Sequence, residues 1–352
     1  DEKNSVCIII YNFTKIPEHF DLFLKFEYNP EIHFLLVTDL AVTHMPENIK
    51  VVLFSMGDLQ RRAERVLGTT VKLSNFYKPC DLRPMFGEIF REELQAYDYW
   101  GHADHDIVLG NVSFFLSPLI KQGYDIINCY PNWCSSPFCI YRNIPKCNSL
   151  FRDSNDWREM LNTERYCNFD EIAGFYFDKL NQGVPPEEID SPFTSNTQLI
   201  WRAAKAGKVK LYHERLIHDA WRTGKELCHF TPGGITMGSD AIFLHHFIFD
   251  KSRSCFSFPH WKTVPDEFYF DRTGFYTTDM IKHRGVIIVL RYLLSPKKFF
   301  QRVLKSGNGM AFTVFSNDFE KIFLYFVLKY RGEGGLFVAT EIVEPKLYDI
   351  VD

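Results

Sequence analysis

Two apolar runs flanking one amphipathic stretch at the start of the chain limit the fold more than any other feature. "VCIIIY", Val6 to Tyr11, reads as a strand buried on both faces, and "IHFLLVTD", Ile32 to Asp39, as a second. Between them, "IPEHFDLFLKFEY" spaces Phe20, Phe23, Leu24 and Tyr28 along one helical face. Strand, helix and strand in that order predict a β-α-β unit with parallel strands. The pattern continues with "IKVVLFS" as a strand, "DLQRRAERVLG" as a helix capped by Asp58 and stopped by Gly68, and "DLRPMFGEIFREELQAY" as a longer helix. Such alternation predicts an α/β fold with a mostly parallel central sheet and helices on its faces.

The next apolar segment, "YDYWGHA", predicts a strand that runs into Asp104. Ligands of open α/β sheets gather beyond the carboxyl ends of the strands, so Asp39, Asp104 and Asp106 stand where a site can form. After them, "FFLSPLIKQG" reads as a helix, "DIINCY" and "PFCIYRN" as strands, and residues 145–208 as mainly helical. A bare D-x-D is expected about once by chance in a chain of this length, so its surroundings must carry any inference. Carboxylates two residues apart in a turn can converge on one hard divalent cation, leaving positions open for phosphate oxygens. That chemistry suits a substrate whose departing group is a diphosphate.

The stretch "YKPCDLRPMFGEIFREELQAYDYWGHADHDIVLGNVSFFL" resembles the GT-A glycosyltransferases of bacterial lipopolysaccharide and capsule synthesis. The likeness lies in its lysine-x-cysteine-aspartate segment, a glycine-bearing helix, a tryptophan-glycine strand and the D-x-D. It extends to "PFCIYRN", "CNSLF" and "NFDE", covering roughly residues 6–175. The resemblance implies a Rossmann-like GT-A domain, placed over 1–260, and the basic stretch near the end of the chain leaves 261–352 as a partly helical, basic C-terminal extension. It implies transfer of a sugar from a nucleotide-sugar donor to a glycan or glycolipid hydroxyl, with Mn2+ or Mg2+ held by Asp104 and Asp106. Asp81 matches an acidic residue that contacts donor hydroxyls, or it caps the following helix. Lys78 or Arg83 is placed to pair with phosphate, and Tyr11 and Asp39 to flank the nucleotide base.

Asp170 or Glu171 in "NFDE" is a candidate general base for the acceptor hydroxyl, or the pair opens the helix "EIAGFYFDKL". Arg142 and Asn143 are candidates for the acceptor side. "IFLHHFIFDKSR" offers His245 or His246 as a further metal ligand, one of which must face away on a strand, and Lys251 and Arg253 for the diphosphate. "TPGGITMGSD" reads either as a mobile loop that closes over donor or as plain turns.

Composition excludes some functions. A net charge of −4 does not suit a protein that neutralises many nucleic-acid phosphates. Nine scattered cysteines form no disulfide framework and fit a reducing, cytoplasmic setting; glycans on the sequons at Asn12 and Asn111 would obstruct the proposed site. No run is long enough to span a bilayer. Residues 282–305 carry seven Lys or Arg and no acid, which reads as a packed helix pair with a solvated face or as a peripheral contact with anionic lipid. Two rival functions remain open. "DHDIVLG" also resembles the first motif of haloacid-dehalogenase-type phosphatases, with Asp104 as nucleophile and Asp106 as acid and base. The other rival is a non-catalytic glycan- or nucleotide-binding protein.

Overall fold

A computed structural model describes residues 5–13, 20–42, 45–219, 226–247, 256, 258 and 261–288, and the strands at 309–318, 321–329 and 337–340. The chain parts into two compact units, Asp1–Asp219 with Pro232–His246 and Ala220–Thr231 with Phe247–Asp352, rather than at a single boundary after residue 260.

The first unit is mixed α/β. Its strands are β1 (Val6–Asn12), β2 (Ile32–Thr38), β3 (Ile49–Leu53), β4 (Tyr99–Ala103), β5 (Ile107–Leu109), β6 (Ile126–Asn128), β7 (Phe138–Arg142), β8 (Leu211–Tyr212) and β9 (Ile217–Asp219). Seven of them form one sheet in the order β3-β2-β1-β4-β7-β6-β8. Every neighbouring pair is parallel except the two that involve β7. The sheet is covered on both faces, which is why β1 reads as unbroken apolar sequence: Cys7 and Ile9 enter one core layer, and Val6, Ile8 and Ile10 the other.

Helix α1 (Phe20–Phe23) gives way to a 3₁₀ segment, Leu24–Tyr28, so the predicted amphipathic helix is short; residues 14–19 lie outside the described residues. Helix α2 (Met56–Leu67) ends on Gly68 in the left-handed conformation, as its sequence predicts. Its N-cap is Ser55, however, and Asp58 is the third helical residue, returning a bond to the cap. The long helix expected from Asp81 is not formed. Residues Lys78–Met85 wind as a 3₁₀ segment containing Pro84, and helix α3 (Phe86–Ile89) lasts one turn. Gly87 explains what this backbone does instead. A Cβ there would stand 2.7 Å from the Trp100 indole, so the missing side chain lets α3 press on β4. Trp100 in turn stacks on Tyr141 of β7 at 4.5 Å.

Residues 145–208 are a chain of short helices and turns, of which Asn196–Lys205 is the longest. No helix starts at Glu171: Gly174 and Phe175 both have positive φ, and helix begins only at Phe177. The glycine-rich stretch near 232–241 is a paired hairpin, with Gly234–Met237 antiparallel to Asp240–Ile242, rather than an open loop.

In the second unit Cys228–Thr231 pairs antiparallel with Phe268–Asp271, which pairs with Gly274–Tyr276. Thr277 caps a one-turn helix, Thr278–Ile281. The C-terminal region contains an antiparallel sheet, Gly309–Asp318, Lys321–Lys329 and Phe337–Thr340, beyond the stretch 282–305 that reads as a helix pair. Runs such as "FTVF" and "KIFLYFVL" are β-branched and aromatic, a composition that favours strands. Of the basic stretch 282–305, residues 289–305 lie outside the described residues. Among the described residues no helix is long and apolar enough to cross a membrane.

One close backbone approach sets the far side of the site. After β5, Gly110 donates to the Phe243 carbonyl at 2.8 Å. The buried Asn29 side chain donates to the Gly110 carbonyl and accepts from Val112, fixing the turn into helix α4 (Val112–Lys121), which Asn111 caps. A Cβ on Gly110 would lie 2.1 Å from the Ile242 carbonyl oxygen. Gly110→Ala is therefore expected to lower stability by about 1–3 kcal/mol, the usual range for forced overpacking, in a denaturant titration. An unchanged midpoint would show that the strand carrying His246 tolerates displacement.

Candidate functional site

The site lies beyond the carboxyl end of β4. That strand ends at Ala103, and Asp104 and Asp106 follow in the turn before β5. The strand Leu244–His246 runs antiparallel to β5 in a register that sets His246 opposite Ile107, one residue from Asp106. His246 Nε2 lies 3.3 Å from Asp106 Oδ1 and 3.8 Å from Asp104 Oδ2. Strand alternation turns His245 to the other face. There it aligns with His218 of β9, with the two Nδ1 atoms 2.8 Å apart and His218 Nε2 3.2 Å from Met237 Sδ. Of the two candidate histidines, only His246 joins the aspartates.

Asp104, Asp106 and His246 each offer a ligand atom, and these atoms lie within 4.8 Å of one another. Cis ligands of an octahedral cation at about 2.1 Å stand about 3 Å apart, so the trio needs little adjustment to share a hard divalent ion. Two carboxylates and one imidazole suit Mn2+ and also admit Mg2+.

The remaining acids gather behind this trio on one guanidinium. Arg83, buried, donates through Nη2 to Asp104 Oδ1 and through Nη1 to Asp170 Oδ2 at 3.2 Å. The same Nη1 also lies 3.1 Å from the Ser136 carbonyl and bonds the Ser136 hydroxyl. Ser136 donates its backbone N–H to Glu171 Oε1 at 3.3 Å. Asp104 thus gives Oδ1 to Arg83 and leaves Oδ2 on the side of His246. Arg83 is internal to the protein rather than a free phosphate contact.

Asp170 is fully buried and its carboxyl is pushed up to about 7, by burial first and then by the charges of Asp81 and Asp104, against the pull of Arg83. Glu171 is half-buried and is pushed well above the ordinary carboxylate range by burial and by Asp170 and Asp104. His102, two residues before Asp104 on β4, is driven well below its usual range by burial and by the Arg83 charge. It is neutral, and with its proton on Nδ1 it donates to the Ser136 carbonyl at 3.2 Å.

Lys78 and Asp81 form a second, closed ion pair. Both are buried, with Lys78 Nζ 3.0 Å from Asp81 Oδ2 and 2.8 Å from the Met160 carbonyl. Asp81 also accepts from the backbone N–H groups of Cys167 and Phe169, each at 2.9 Å. It caps no helix and offers no open oxygen to a donor. The pair fixes the segment 166–171 that carries Asp170 and Glu171. Tyr11, at the end of β1, lies under the Arg83 guanidinium at 5.5 Å, with its hydroxyl 2.8 Å from Cys80 Sγ. Asp39 is exposed just past β2. Lys251 and Arg253 lie outside the described residues. Arg142 and Asn143 sit at the amino end of β4, since Arg142 registers with Tyr99 and Phe138 with Ala103. Asn143 there donates to the Leu94 and Tyr97 carbonyls, so neither residue lines the end that holds Asp104.

Ser136, His102 and Tyr166 are the participants that sequence reasoning missed. Ser136 sits in "CSSPF" with no motif to mark it. His102 had one available signal, its position two residues before Asp104 on the same strand.

Two outcomes follow from the buried charges. Asp81→Asn leaves the Lys78 ammonium buried without its partner and is expected to cost about 3–5 kcal/mol in chemical denaturation. A cost below about 1 kcal/mol would mean that water reaches Lys78. The raised carboxyl of Asp170 means that the folded state holds its proton more tightly than the unfolded chain does. Stability therefore falls as pH rises from about 4, the unfolded value, to about 7. In chelator-treated protein, Asp170→Asn should flatten that decline; an identical slope in variant and parent would place the titration elsewhere.

A search of curated proteins finds no match. Among solved structures, the chain is similar to A197 from STIV at 14% identity over 39% of this chain and 64% of that one. It thus spans less than two thirds of A197, with a TM-score of 0.22. Residues 7–276 match the model of the family of unknown function DUF6625, and the chain belongs to that family.

Proposed function

We propose that the protein is a metal-dependent glycosyltransferase that moves a sugar from a nucleotide-sugar to a hydroxyl of a glycan or glycolipid. The observation that carries this reading is the convergence of Asp104, Asp106 and His246 beyond the carboxyl end of a central, mostly parallel strand. The resemblance of residues 6–175 to GT-A enzymes supplies the substrate class. A divalent cation, bound by these three residues, would neutralise charge on the departing diphosphate.

The chain's own groups have distinct parts in this reading. Arg83 orients Asp104 so that one oxygen faces His246. Tyr11 and Asp39 stand at the ends of β1 and β2, the side proposed for the nucleotide base. Glu171, half-buried, is the acid available to an acceptor hydroxyl, while Asp170 is enclosed and bonded to Arg83. A general base must reach the proton it takes, which favours Glu171. We place the protein in the cytoplasm, with the basic stretch 282–305 as a peripheral contact for anionic lipid.

The test is a thermal-shift panel of UDP-, GDP-, CMP- and dTDP-sugars with and without Mn2+. A ligand at about 100 times its dissociation constant stabilises by about 2.7 kcal/mol, a shift readily seen. One nucleotide class should raise the melting temperature in a Mn2+-dependent way, and Asp106→Ala should abolish that rise while remaining folded. Retention of the full shift in Asp106→Ala sinks the site assignment. Release of inorganic phosphate from a generic ester would instead identify a phosphatase.

A further inference from the structure

A continuous strip of aromatic rings leads away from the acidic pair. Tyr77 lies 6.2 Å from Tyr166, Tyr166 6.1 Å from Phe175, Phe175 6.3 Å from Phe177, and Phe177 5.2 Å from Trp133. Phe177 and Trp133 also pack on the buried Ile172, Leu180 and Ile189, while the other end of the strip faces water. Tyr77 is 71% exposed and Phe175 56%, while Tyr166, Phe177 and Trp133 are each partly exposed. Single exposed apolar residues are ordinary, but a contiguous exposed apolar patch marks a binding surface.

Two features tie the strip to the site. One of its rings is anchored to the acids: the Tyr166 hydroxyl lies 2.5 Å from Asn168 Oδ1 and 3.1 Å from Asp170 Oδ1. Its middle ring is held against backbone preference, since Phe175 has φ of 60°. A bulky residue there costs about 1–3 kcal/mol, and such strain persists where the surroundings over-determine it. Ordinary packing does not account for a strained Phe with more than half its surface in water.

We propose that this strip binds the saccharide chain of the acceptor, stacking pyranose rings along it and presenting a hydroxyl to Glu171. The proposal rests on the glycosyltransferase reading and names the acceptor side of the same site. The occupant follows from the chemistry of the strip. A pyranose offers a flat face of C–H groups ringed by hydroxyls, which fits planar rings bordered by polar groups. Here the border is the half-buried Glu171, whose charge acts on Tyr166, and the hydroxyls of Tyr77 and Tyr166. An alkyl chain would gain nothing from these polar groups. Rigid rings also lose little conformational freedom on binding.

The test uses the full chain and short neutral oligosaccharides of glucose, galactose and mannose, titrated while the indole emission is followed, since Trp133 lies at one end of the strip. At least one oligosaccharide should bind saturably. Tyr77→Ala and Phe175→Ala should each weaken it by about tenfold or more, in line with alanine replacement of other stacking rings, and Phe175→Tyr should restore it. In the same variants the Mn2+-dependent nucleotide-sugar shift should be unchanged, so loss of the strip reads separately from loss of the donor site. The proposal fails if no neutral oligosaccharide binds, or if both alanine variants bind as tightly as the parent. It fails equally if the strip instead takes up phosphatidylcholine vesicles with the same dependence on Phe175 and Tyr77.

Discussion

The arrangement of the site depends on one buried guanidinium. Arg83 joins Asp104 beyond β4, Asp170 in the loop 166–171, and Ser136 in the loop before β7. Three segments distant in sequence meet on one side chain. A buried charge is tolerated only when its partners satisfy it, so removing any partner leaves a charge that low-dielectric surroundings penalise. The geometry of the aspartates is thus set by the need to satisfy Arg83 as much as by any ligand.

A second buried pair performs the same service one turn earlier. Lys78 and Asp81 come from the same 3₁₀ segment as Arg83, and "KPCDLR" places three charged side chains indoors within six residues. Burial pushes the Asp81 carboxyl up while Lys78 and two backbone donors pull it down. Those two donors, Cys167 and Phe169, belong to the loop that delivers Asp170 and Glu171. The segment therefore acts as a frame for the acids. The Lys78 and Asp81 charges of this segment are consumed by the fold.

How much of this was legible in the sequence depended on whether the cause was local. Strands β1 to β4 and helix α2 follow from periodicity and a Gly stop, because a sheet covered on both faces needs unbroken apolar runs. The position of Asp104 and Asp106 past a strand end was legible for the same reason. What escaped were features decided by distant partners. The helix expected from Asp81 fails because Pro84 interrupts it and because its backbone is bent onto Trp100 at Gly87. The choice between His245 and His246 needed the register of their strand against β5, which no local pattern encodes. Asp170 and Glu171 looked like a helix start because the following residues are apolar at helical spacing, yet Gly174 and Phe175 turn left-handed before any helix forms.

The shape of the guanidinium explains why an arginine stands at the centre. Its planar fork directs one terminal nitrogen to Asp104 and the other to Asp170 and Ser136 at once. A lysine ammonium in its place would be a point charge free to favour either acid, and neither carboxylate would have a fixed orientation. Fixing Asp104 Oδ1 decides which oxygen remains on the side of His246. It also holds the negative field of Asp104 close to Asp170 and Glu171, whose carboxyls that field helps to push up. Asp104, Asp106 and His246 on one side and Asp170 and Glu171 on the other are therefore joined through a single side chain.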